Sequence, residues 1–421
     1  MRPFVPEDEW TRTFPAWPEQ EFRRALVVAA HPDDETLGAS GLLQHLHAAG
    51  TEVTLVVATD GEAAFPESGA AERAELGRAR REELERSLAA QGLDVEPIWL
   101  GLPDSDLTAH AGELTDALRE HAADRDLCLL PWPDDPHPDH QAAGRAALAA
   151  APASAHRWSY PIWMWHWRAP DAPDIPWRQA HSYRLTPSER TAKAAAVGEF
   201  TTQLKRGPRG EDPILPAEVL AHFDRPFETF FRQPPETSAP VERFAALYQE
   251  ADDPWQVGTS WYERRKRSLL LASLPRERYG TVVEPGCGTG VLTRELAGRC
   301  DRLVAFDPVP SAVERTRTAA PGAEVRQGLV PHALPSGPVD LFVYSELLYY
   351  LDEADLEKTI EASVAALRPG GDLVAVHWLP WAPEAPHDAA GVHERLAAHP
   401  ALETLVTHLD EQFRMDVLRR R

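Results

Sequence analysis

Short apolar runs alternate with helical patterns through the first half of the chain. Strands are predicted within 23–30, 51–62, 95–104 and 126–133, where β-branched and other apolar residues cluster. Helices are predicted at 38–49, 71–92 and 113–122, and from residue 137 onward. This alternation is typical of a doubly wound parallel sheet, which binds ligands at the carboxyl ends of its strands.

The same kind of pattern returns after a break rich in proline. Residues 233–240 (QPPETSAP) predict a linker, and a helical lead-in at 241–274 follows it. Further strands are predicted at 281–285, 302–308, 339–348 and 370–378. We therefore predict an α/β chain of two domains, 23–232 and 241–421, preceded by an arm at 1–22 that packs on the first domain.

Composition narrows the functional classes. A chain of 421 residues is long enough for two or three domains, and its net charge of −23 argues against binding nucleic acid or an anionic membrane. No apolar run approaches the length of a membrane span, and the N-terminus lacks the apolar core of a secretory signal. Three cysteines do not make a disulfide framework. We expect a cytoplasmic protein.

Two acidic histidine clusters follow the first and fourth predicted strands. The first is His31-Pro-Asp33-Asp34, and the second runs from His137 to His140 as HPDH. Two histidines and a carboxylate, with an open position for water, make a catalytic zinc site. Asp33 is then placed to accept a proton from water, and the spare histidine to assist the leaving group. The alternative for the first cluster is a helix N-cap.

The motifs AHPDDE (30–35), TDGE (59–62) and HPDH (137–140) resemble those of the LmbE/PIG-L zinc-dependent de-N-acetylases over about residues 20–240. The resemblance implies a Rossmann-like, three-layer α/β/α fold and removal of acetyl from N-acetylglucosamine units joined to lipids, inositol or antibiotic aglycones. It implies zinc ligands at His31, Asp34 and His140. It also implies a general base at Asp33 and an oxyanion or amine partner at His137.

Further roles near this site are expectations of lower specificity. Asp139 is expected to orient a histidine ring, and Asp60, Glu62 and Arg80 are candidates for sugar contacts, with surface ion pairs as the alternative. Some family members carry a tyrosine where this chain has Asp135, so no tyrosine helper is expected there. The aromatic span 156–177 fits either a stacking platform for sugar rings or a hydrophobic aglycone, or an aromatic lid or core that closes the first domain, and we favour the lid or core.

A glycine-rich loop marks the second domain. Glu284 precedes Gly286, Gly288 and Gly290, and Asp307 ends the next predicted strand, where it is placed to hold ribose hydroxyls. Such a loop lets the backbone approach a nucleotide closely. The acidic residues favour an adenosylmethionine site, while NAD binding and a nucleotide fold without transfer activity are the alternatives.

The loop, together with DDPWQVGTSWYERRK (252–266) and SELLYYL (345–351), resembles NodS-like, class I adenosylmethionine-dependent N-methyltransferases over about residues 241–380. The resemblance implies S-adenosyl-L-methionine as cofactor, an aminosugar as acceptor and a second Rossmann-like domain with a mainly parallel sheet. Trp261 and Tyr262 are candidates to cover the cofactor, and Gln327 is a candidate to contact its adenine. Glu346 and His377 are candidates to accept a proton, and Tyr349 and Tyr350 are candidates to orient the substrate. Core packing is the alternative for the aromatic residues and for His377.

Together the two halves predict a bifunctional enzyme of a small-molecule aminosugar. A zinc de-N-acetylase would expose an amine and an N-methyltransferase would methylate it, with both sites on one chain. Two alternatives remain. The second domain is an O-methyltransferase of secondary metabolism, or it binds adenosylmethionine without catalysis as a sensor or scaffold.

Overall fold

A computed structural model describes residues 5–421, which form two compact units divided between Gln233 and Pro234. The division falls at the start of the predicted linker. Residues 1–4 of the predicted arm lie outside the described residues.

A seven-stranded sheet forms the centre of the first unit, in the order β3-β2-β1-β4-β5-β7-β6. Its strands are β1 Arg24–Ala29, β2 Glu52–Thr59, β3 Ile98–Leu102, β4 Leu127–Pro131, β5 His156–Tyr160, β6 Ala180–Arg184 and β7 Phe227–Arg232. Its helices are α1 Asp34–Ala48, α2 Ala70–Ala90, α3 Ala111–Ala122, α4 Pro138–Ala150, α5 Met164–Trp167, α6 Pro187–Val197, α7 Thr201–Leu204 and α8 Ala217–Leu220. Strand β7 pairs antiparallel with β5 and β6, and the other pairings are parallel.

Strand β1 shows why this sheet is buried on both faces. Val27 belongs to the hydrophobic core on one side and its neighbours Leu26 and Val28 to the core on the other. A strand covered twice needs apolar residues at consecutive positions, which explains the unbroken run in the sequence. On the first of these sides the described part of the arm joins the core, since Trp10 packs edge-on against Trp165 with ring centroids 4.9 Å apart.

The second unit repeats the strand order of the first, as β10-β9-β8-β11-β12-β14-β13. Its strands are β8 Tyr279–Pro285, β9 Cys300–Asp307, β10 Glu324–Gln327, β11 Val339–Ser345, β12 Leu367–Trp378, β13 Leu402–Leu409 and β14 Phe413–Arg420. Its helices are α9 Val241–Glu250, α10 Trp261–Ser273, α11 Val291–Ala297, α12 Pro310–Ala319, α13 Glu353–Ala366 and α14 Ala389–Ala398. The predicted fold class, two mainly parallel α/β sheets, is confirmed.

Several elements were absent from the sequence prediction. They are β5, β6, β7 and the helices α5 to α8 in the first unit, and α13, α14, the short strand β10 and the antiparallel pair β13 and β14 in the second. Strand β10 is mostly exposed and β13 lies at the sheet edge with a largely exposed pattern, so neither carries the apolar run that predicts a strand. In the described part of the chain, no helix has the length and apolar character needed to cross a membrane.

Candidate metal centre and glycine-loop site

The two histidine clusters meet at one edge of the first sheet. His31 follows β1, and His137 caps α4 after β4, with Pro138 at the first turn of the helix. Strands β1 and β4 are parallel neighbours, with Ala25 opposite Leu127. Their carboxyl ends therefore place both loops side by side, although the loops are separated by more than a hundred residues in the sequence.

Three predicted ligands form a compact triangle of donor atoms. His31 Nδ1 lies 3.2 Å from His140 Nε2 and 3.8 Å from Asp34 Oδ2, and His140 Nε2 lies 3.3 Å from Asp34 Oδ1. Tetrahedral zinc with bonds of about 2.0–2.1 Å holds neighbouring donors about 3.3–3.4 Å apart. The His31–His140 distance and the distance from His140 to Asp34 Oδ1 therefore fit a metal ion of this size, while Asp34 Oδ2 accepts from the backbone of Ala30 and His31. His137 lies beside the triangle, because His31, His137 and His140 have ring nitrogens within 4.8 Å of one another.

Carboxylates lie at the outer nitrogens of His31 and His140, and the one at His140 Nδ1 is near it without a hydrogen bond within residues 5–421. His31 Nε2 lies 3.1 Å from Asp104 Oδ1 and 3.4 Å from Asp139 Oδ2, and His140 Nδ1 lies 3.4 Å from Asp135 Oδ1. Such partners fix the orientation and tautomer of a metal-binding histidine. Asp139 thus orients His31 and not its neighbour His140.

Asp104 and Asp135 were not predicted for this role. Asp104 ends the third predicted strand segment and is buried, so its position at a strand end was the available signal. Asp135 is fully buried and accepts hydrogen bonds from the backbone of His137, Ile162 and Met164 at 3.1, 3.0 and 3.2 Å. It therefore joins the loops after β4 and β5.

Burial and nearby carboxylates have opposite effects on the pKa values of the histidines in this cluster. Burial acts to lower the pKa of His140, but the carboxylates of Asp34 and Asp135 raise it to about 9. Burial likewise opposes the effect of Asp104 and Asp139 on His31, whose pKa is raised well above its usual value. Carboxylates thus stabilise positive charge at the position of the donor triangle, which also suits a metal cation.

Asp33 and His137 lie beside the triangle and line the same cavity. Burial raises the pKa of Asp33, while Arg80, whose Nη2 lies 2.9 Å from Asp33 Oδ2, opposes that rise. Burial and the two other imidazoles lower the pKa of His137 to about 3, so its ring is neutral. The backbone N–H of Asp139 donates to His137 Nδ1 at 3.3 Å, which leaves the ring proton on Nε2.

The cavity has a volume of about 460 Å³, within the range of small-molecule sites. Polar residues of the centre line one side, namely His31, Asp33, Asp34, Arg80, Asp104 and His137. Apolar residues from two later segments line another, namely Ile162, Trp163, Trp167, Ile214, Leu215 and Val219. The aromatic span 156–177 therefore divides, since Trp158 and Trp165 lie in the core while Trp163 and Trp167 line the cavity.

Of the three predicted sugar contacts, Arg80 lines the cavity. Asp60 and Glu62 are not among its lining residues, so the structure does not support them as sugar contacts. Asp60 turns toward α2 and accepts from Arg81 Nε at 2.8 Å, and Glu62 accepts from the backbone N–H of Asp104 at 3.0 Å. Both carboxylates are used to hold the loops around the site.

In the second unit the glycine loop adopts the backbone conformation that its residues predict. Gly286, Gly288 and Gly290 have φ values of 72°, 55° and 77°. A Cβ atom on Gly290 would lie 2.7 Å from Thr316 Cα, so a side chain there does not fit. The backbone N–H of Gly288 donates to Asp307 Oδ2 at 3.1 Å, which ties the loop to the end of β9.

Acidic groups around this loop are desolvated. Burial raises the pKa of Glu284 to about 8, and within residues 5–421 its Oε2 atom makes no hydrogen bond. Burial also raises the pKa of Asp307, whose Oδ1 accepts from the backbone of Val309 at 2.9 Å. A buried oxygen without a donor beside three left-handed glycines fits a polar ligand in close contact with the backbone.

The predicted aromatic cover of Trp261 and Tyr262 stays a prediction. Trp261 is 71% exposed, and Tyr262 packs against Lys266 and Phe413. The structure adds Tyr248 of α9, whose hydroxyl is 3.1 Å from the position of a Cβ on Gly288. Because α9 lies outside the motifs of this domain, nothing in them identified Tyr248.

Glu346 begins a turn beside the glycine loop, because Leu347 packs 3.4 Å from the position of a Cβ on Gly286. Its carboxylate accepts from Lys266 Nζ at 2.6 Å, from the Tyr349 hydroxyl at 2.6 Å and from the Trp378 backbone at 2.8 Å. Glu346 also has a φ of 56°, which is uncommon for a residue with a side chain.

The other predicted proton acceptor, His377, is part of a buried chain. Leu348 N–H donates to His377 Nε2 at 3.2 Å, and His377 Nδ1 lies 3.0 Å from His393 Nε2. His393 Nδ1 in turn lies 2.7 Å from Asp416 Oδ2. Burial lowers the pKa of His377 well below its usual value, and its acceptor nitrogen is already used. The structure therefore corrects His377 from proton acceptor to structural support.

Comparison with known proteins finds relatives for each unit separately. Residues 26–151 match the GlcNAc-PI de-N-acetylase family (PIG-L), and residues 241–377 match the nodulation protein S family (NodS). A nodulation protein S of Rhizobium tropici is 35% identical over 129 residues, which are 30% of this chain and 54% of that protein. The chain thus spans about half the length of that relative.

Each unit is also similar to a protein whose length it covers almost completely. A 1D-myo-inositol 2-acetamido-2-deoxy-alpha-D-glucopyranoside deacetylase of Rhodococcus erythropolis is 25% identical over 256 residues, covering 47% of this chain and 87% of that protein. The crystal structure of the N-methyltransferase NodS from Bradyrhizobium japonicum, in complex with S-adenosyl-L-homocysteine, is 26% identical with a TM-score of 0.39 and covers 44% of this chain and 99% of its own. The first unit of this chain is thus similar to the GlcNAc-PI de-N-acetylase family over residues 26–151, and the second to the NodS family over residues 241–377.

Proposed function

We propose that this chain is a bifunctional enzyme that removes acetyl from an N-acetylglucosamine-type aminosugar conjugate and then methylates the freed amine. The succession of two family regions on one chain carries this proposal, since the amine that the first reaction releases is the acceptor that the second requires. The named relatives are a deacetylase of an acetamido sugar and an N-methyltransferase.

For the first reaction, His31, Asp34 and His140 would hold zinc. A bound zinc ion would polarise the acetamide carbonyl and lower the pKa of its water. Asp33, with its raised pKa, accepts the proton of the attacking water while Arg80 holds its carboxylate in place. His137 presents Nε2–H as a donor to the developing oxyanion. Water adds to the carbonyl carbon, and the C–N bond then breaks to release acetate. The proton that Asp33 accepted from the water passes to the leaving amine.

For the second reaction, Glu284, Gly286, Gly288, Gly290 and Asp307 would line the S-adenosyl-L-methionine site. The cofactor would supply a methyl group on a positively charged sulfur. Glu346 receives the proton that the amine loses as the N–CH₃ bond forms and the S–CH₃ bond breaks. Three hydrogen bonds fix its carboxylate, so positioning of the acceptor is the main contribution of the protein.

Product mass spectrometry in one reaction tests the proposal. The full chain, zinc and S-adenosyl-L-methionine would meet a panel of N-acetylglucosaminides, with and without a chelator. We expect loss of acetyl followed by gain of methyl, and neither change when chelator is present. Supplying the free-amine sugar should restore methylation under chelator.

The remaining outcomes identify the alternatives. Methylation of the intact acetylated sugar in the presence of chelator would contradict the proposed order and favour an O-methyltransferase. Loss of acetyl without methylation of the free-amine sugar, despite measurable cofactor binding, would reduce the second unit to a sensor or scaffold.

A further inference from the structure

The cavity of the first unit is lined by polar residues of the metal centre and by apolar residues from later in the chain. Six of the apolar residues form what we call the apolar wall, and they come from the residues after β5 and from the segment that follows α7 and includes α8: Ile162, Trp163, Trp167, Ile214, Leu215 and Val219. Among the described residues that line this side, Gln203 and His166 are the polar ones. The amide nitrogen of Gln203 donates to Thr202 Oγ1 at 3.0 Å, while its amide oxygen has no hydrogen-bond partner within residues 5–421.

Two tryptophans dominate the wall. Trp163 and Trp167 stack with ring centroids 4.5 Å apart and an angle of 15° between their planes, one turn apart around α5. Both are half-buried, so each keeps accessible surface at the cavity. Stacking restricts their rotation, and a flat pair of rings offers a large contact area at little further cost in side-chain entropy.

We propose that the group joined to the aminosugar presents an aromatic or similarly flat apolar face to this wall. The inference rests on the deacetylase function proposed above, because the acetamide must lie at the metal end and its conjugate must then extend along the cavity. A polyol such as inositol would meet only Gln203 and His166 as polar side chains on this side, so most of its hydroxyl groups would be buried against apolar residues without a partner, which is unfavourable. An aryl conjugate would instead bury apolar surface on both sides.

Steady-state kinetics on matched glycosides test this inference. The zinc-loaded full chain would be given methyl, p-nitrophenyl and inositol-linked N-acetylglucosaminides, and acetate release would be measured. We expect kcat/KM for the aryl glycoside to exceed that of the inositol conjugate by about tenfold or more, which corresponds to a modest stacking contribution. An inositol conjugate hydrolysed as well as the aryl glycoside would overturn the inference. No hydrolysis of any glycoside would instead contradict the deacetylase function itself.

Variants locate the effect. Trp167→Ala is expected to raise KM for the aryl glycoside about tenfold while leaving the methyl glycoside within about twofold, because the methyl glycoside does not reach the wall. Trp99→Ala is the matched control, since Trp99 is half-buried beside Arg81 and does not line the cavity. Equal losses on both substrates for Trp167→Ala would show that the ring supports the fold and not the conjugate.

In the second unit, the row of hydrogen bonds from Leu348 through His377 and His393 to Asp416 allows only one assignment of donors and acceptors. Leu348 N–H can only donate, so His377 Nε2 is unprotonated and its proton lies on Nδ1. That proton is donated to His393 Nε2, and His393 Nδ1–H is donated to Asp416. All three side chains are fully buried, and each comes from a different element: β12, α14 and β14.

We infer that Asp416, His393 and His377 are positioning residues for the methyl-acceptor site. They hold the amide of Leu348, which lies in the turn between Glu346 and Tyr349, and Tyr349 donates to Glu346. This fixed turn helps Glu346 to keep its uncommon φ of 56°. The C-terminal hairpin thereby contributes to the site without touching a substrate.

The tautomers are directly measurable. Long-range ¹H–¹⁵N spectra of the full chain should show both rings neutral and protonated on Nδ1 at pH 7. His377 protonated on Nε2, or charged, would overturn the inference. The measurement needs no substitution and therefore does not depend on whether a variant folds.

Kinetics separate positioning from general stability. Asp416→Asn should be mild, within about threefold in kcat, because its amide oxygen can still accept from His393 and Arg414 while its nitrogen faces Thr407. His393→Phe should lower kcat/KM for the free-amine sugar by about tenfold or more, with unchanged affinity for S-adenosyl-L-homocysteine.

The control is Asp372→Asn, another fully buried aspartate, which lies in the middle of β12 and is bonded to Tyr279 and Arg419. This substitution should reduce thermal stability without changing the affinity for the free-amine sugar or for S-adenosyl-L-homocysteine. Wild-type kinetics in a folded His393→Phe variant would show that the chain supports the fold alone.

Discussion

The two units share one strand order but differ in the loop after their first strand. The loop after β1 carries histidine and aspartate side chains that point donor atoms at one another, and the loop after β8 carries glycines that expose backbone. Both loops lie at the carboxyl ends of their sheets, where this topology places ligand sites. Topology therefore fixes the location of a site, while the loop residues decide its chemistry.

A second difference lies between the last two strands. In the first unit, residues 185–226 join β6 to β7 and contain three helices, and part of that connection lines the cavity. In the second unit, residues 410–412 suffice to join β13 to β14, and the hairpin places Asp416 beneath the acceptor turn. The same sheet edge thus serves substrate enclosure in one unit and support in the other.

The largest expected effect separates the two chemistries. Asp34→Ala should lower deacetylation by more than about a thousandfold, because the donor triangle loses its carboxylate and the metal is worth several kcal/mol to the transition state. Methylation of a free-amine sugar should be unchanged. Metal content and the two product masses are the measurements, and retained deacetylation would contradict the assigned ligand set.

The converse change targets the glycine loop. Gly290→Val would place side-chain atoms against Thr316 at a positive φ, so we expect cofactor affinity to fall by about a hundredfold or more, with deacetylation intact. Calorimetry with S-adenosyl-L-homocysteine measures the loss. Gly322→Ala is the control, since no atom lies within 4 Å of a Cβ at that position.

The carboxylates behind the histidines should have an intermediate effect. Asp135→Asn is expected to weaken zinc affinity by about 10–100-fold, because it removes the charge that orients His140. Competition with a chelator measures this affinity. Asp134→Asn changes the adjacent residue, whose carboxylate pairs with Arg145 at the surface, and should leave zinc binding as it is.

The last expected effect, and the smallest on either reaction, is a pH dependence of stability in the second unit. Burial raises the folded-state pKa of Glu284 to about 8, above its ordinary value, so the folded state binds more protons than the unfolded state between those two pH values. Stability should therefore fall as pH rises from about 4.5 to 8. Glu284→Gln should flatten this slope in urea unfolding measured across that range, whereas an unchanged slope would contradict the assignment.

The sequence by itself determined the class of the fold and most of the candidate site residues. A strand that is buried on both faces, such as β1, needs consecutive apolar residues, so it is visible in the sequence. A strand end followed by HPDD or by spaced glycines identifies a candidate site from neighbouring residues alone. The exposed edge strands β10 and β13 carried no such run, which is why they escaped prediction.

Tertiary structure alone decided how distant residues share a task. Asp104 and Asp135 lie beside the ring nitrogens of His31 and His140. Tyr248 lies at the glycine loop, and His377 Nε2 accepts a hydrogen bond from the backbone of Leu348. The physical reason is that hydrogen bonds and burial depend on side chains brought together from separate elements. Local spacing identifies the residues able to react, but the packing of strands and loops determines which of their atoms remain available.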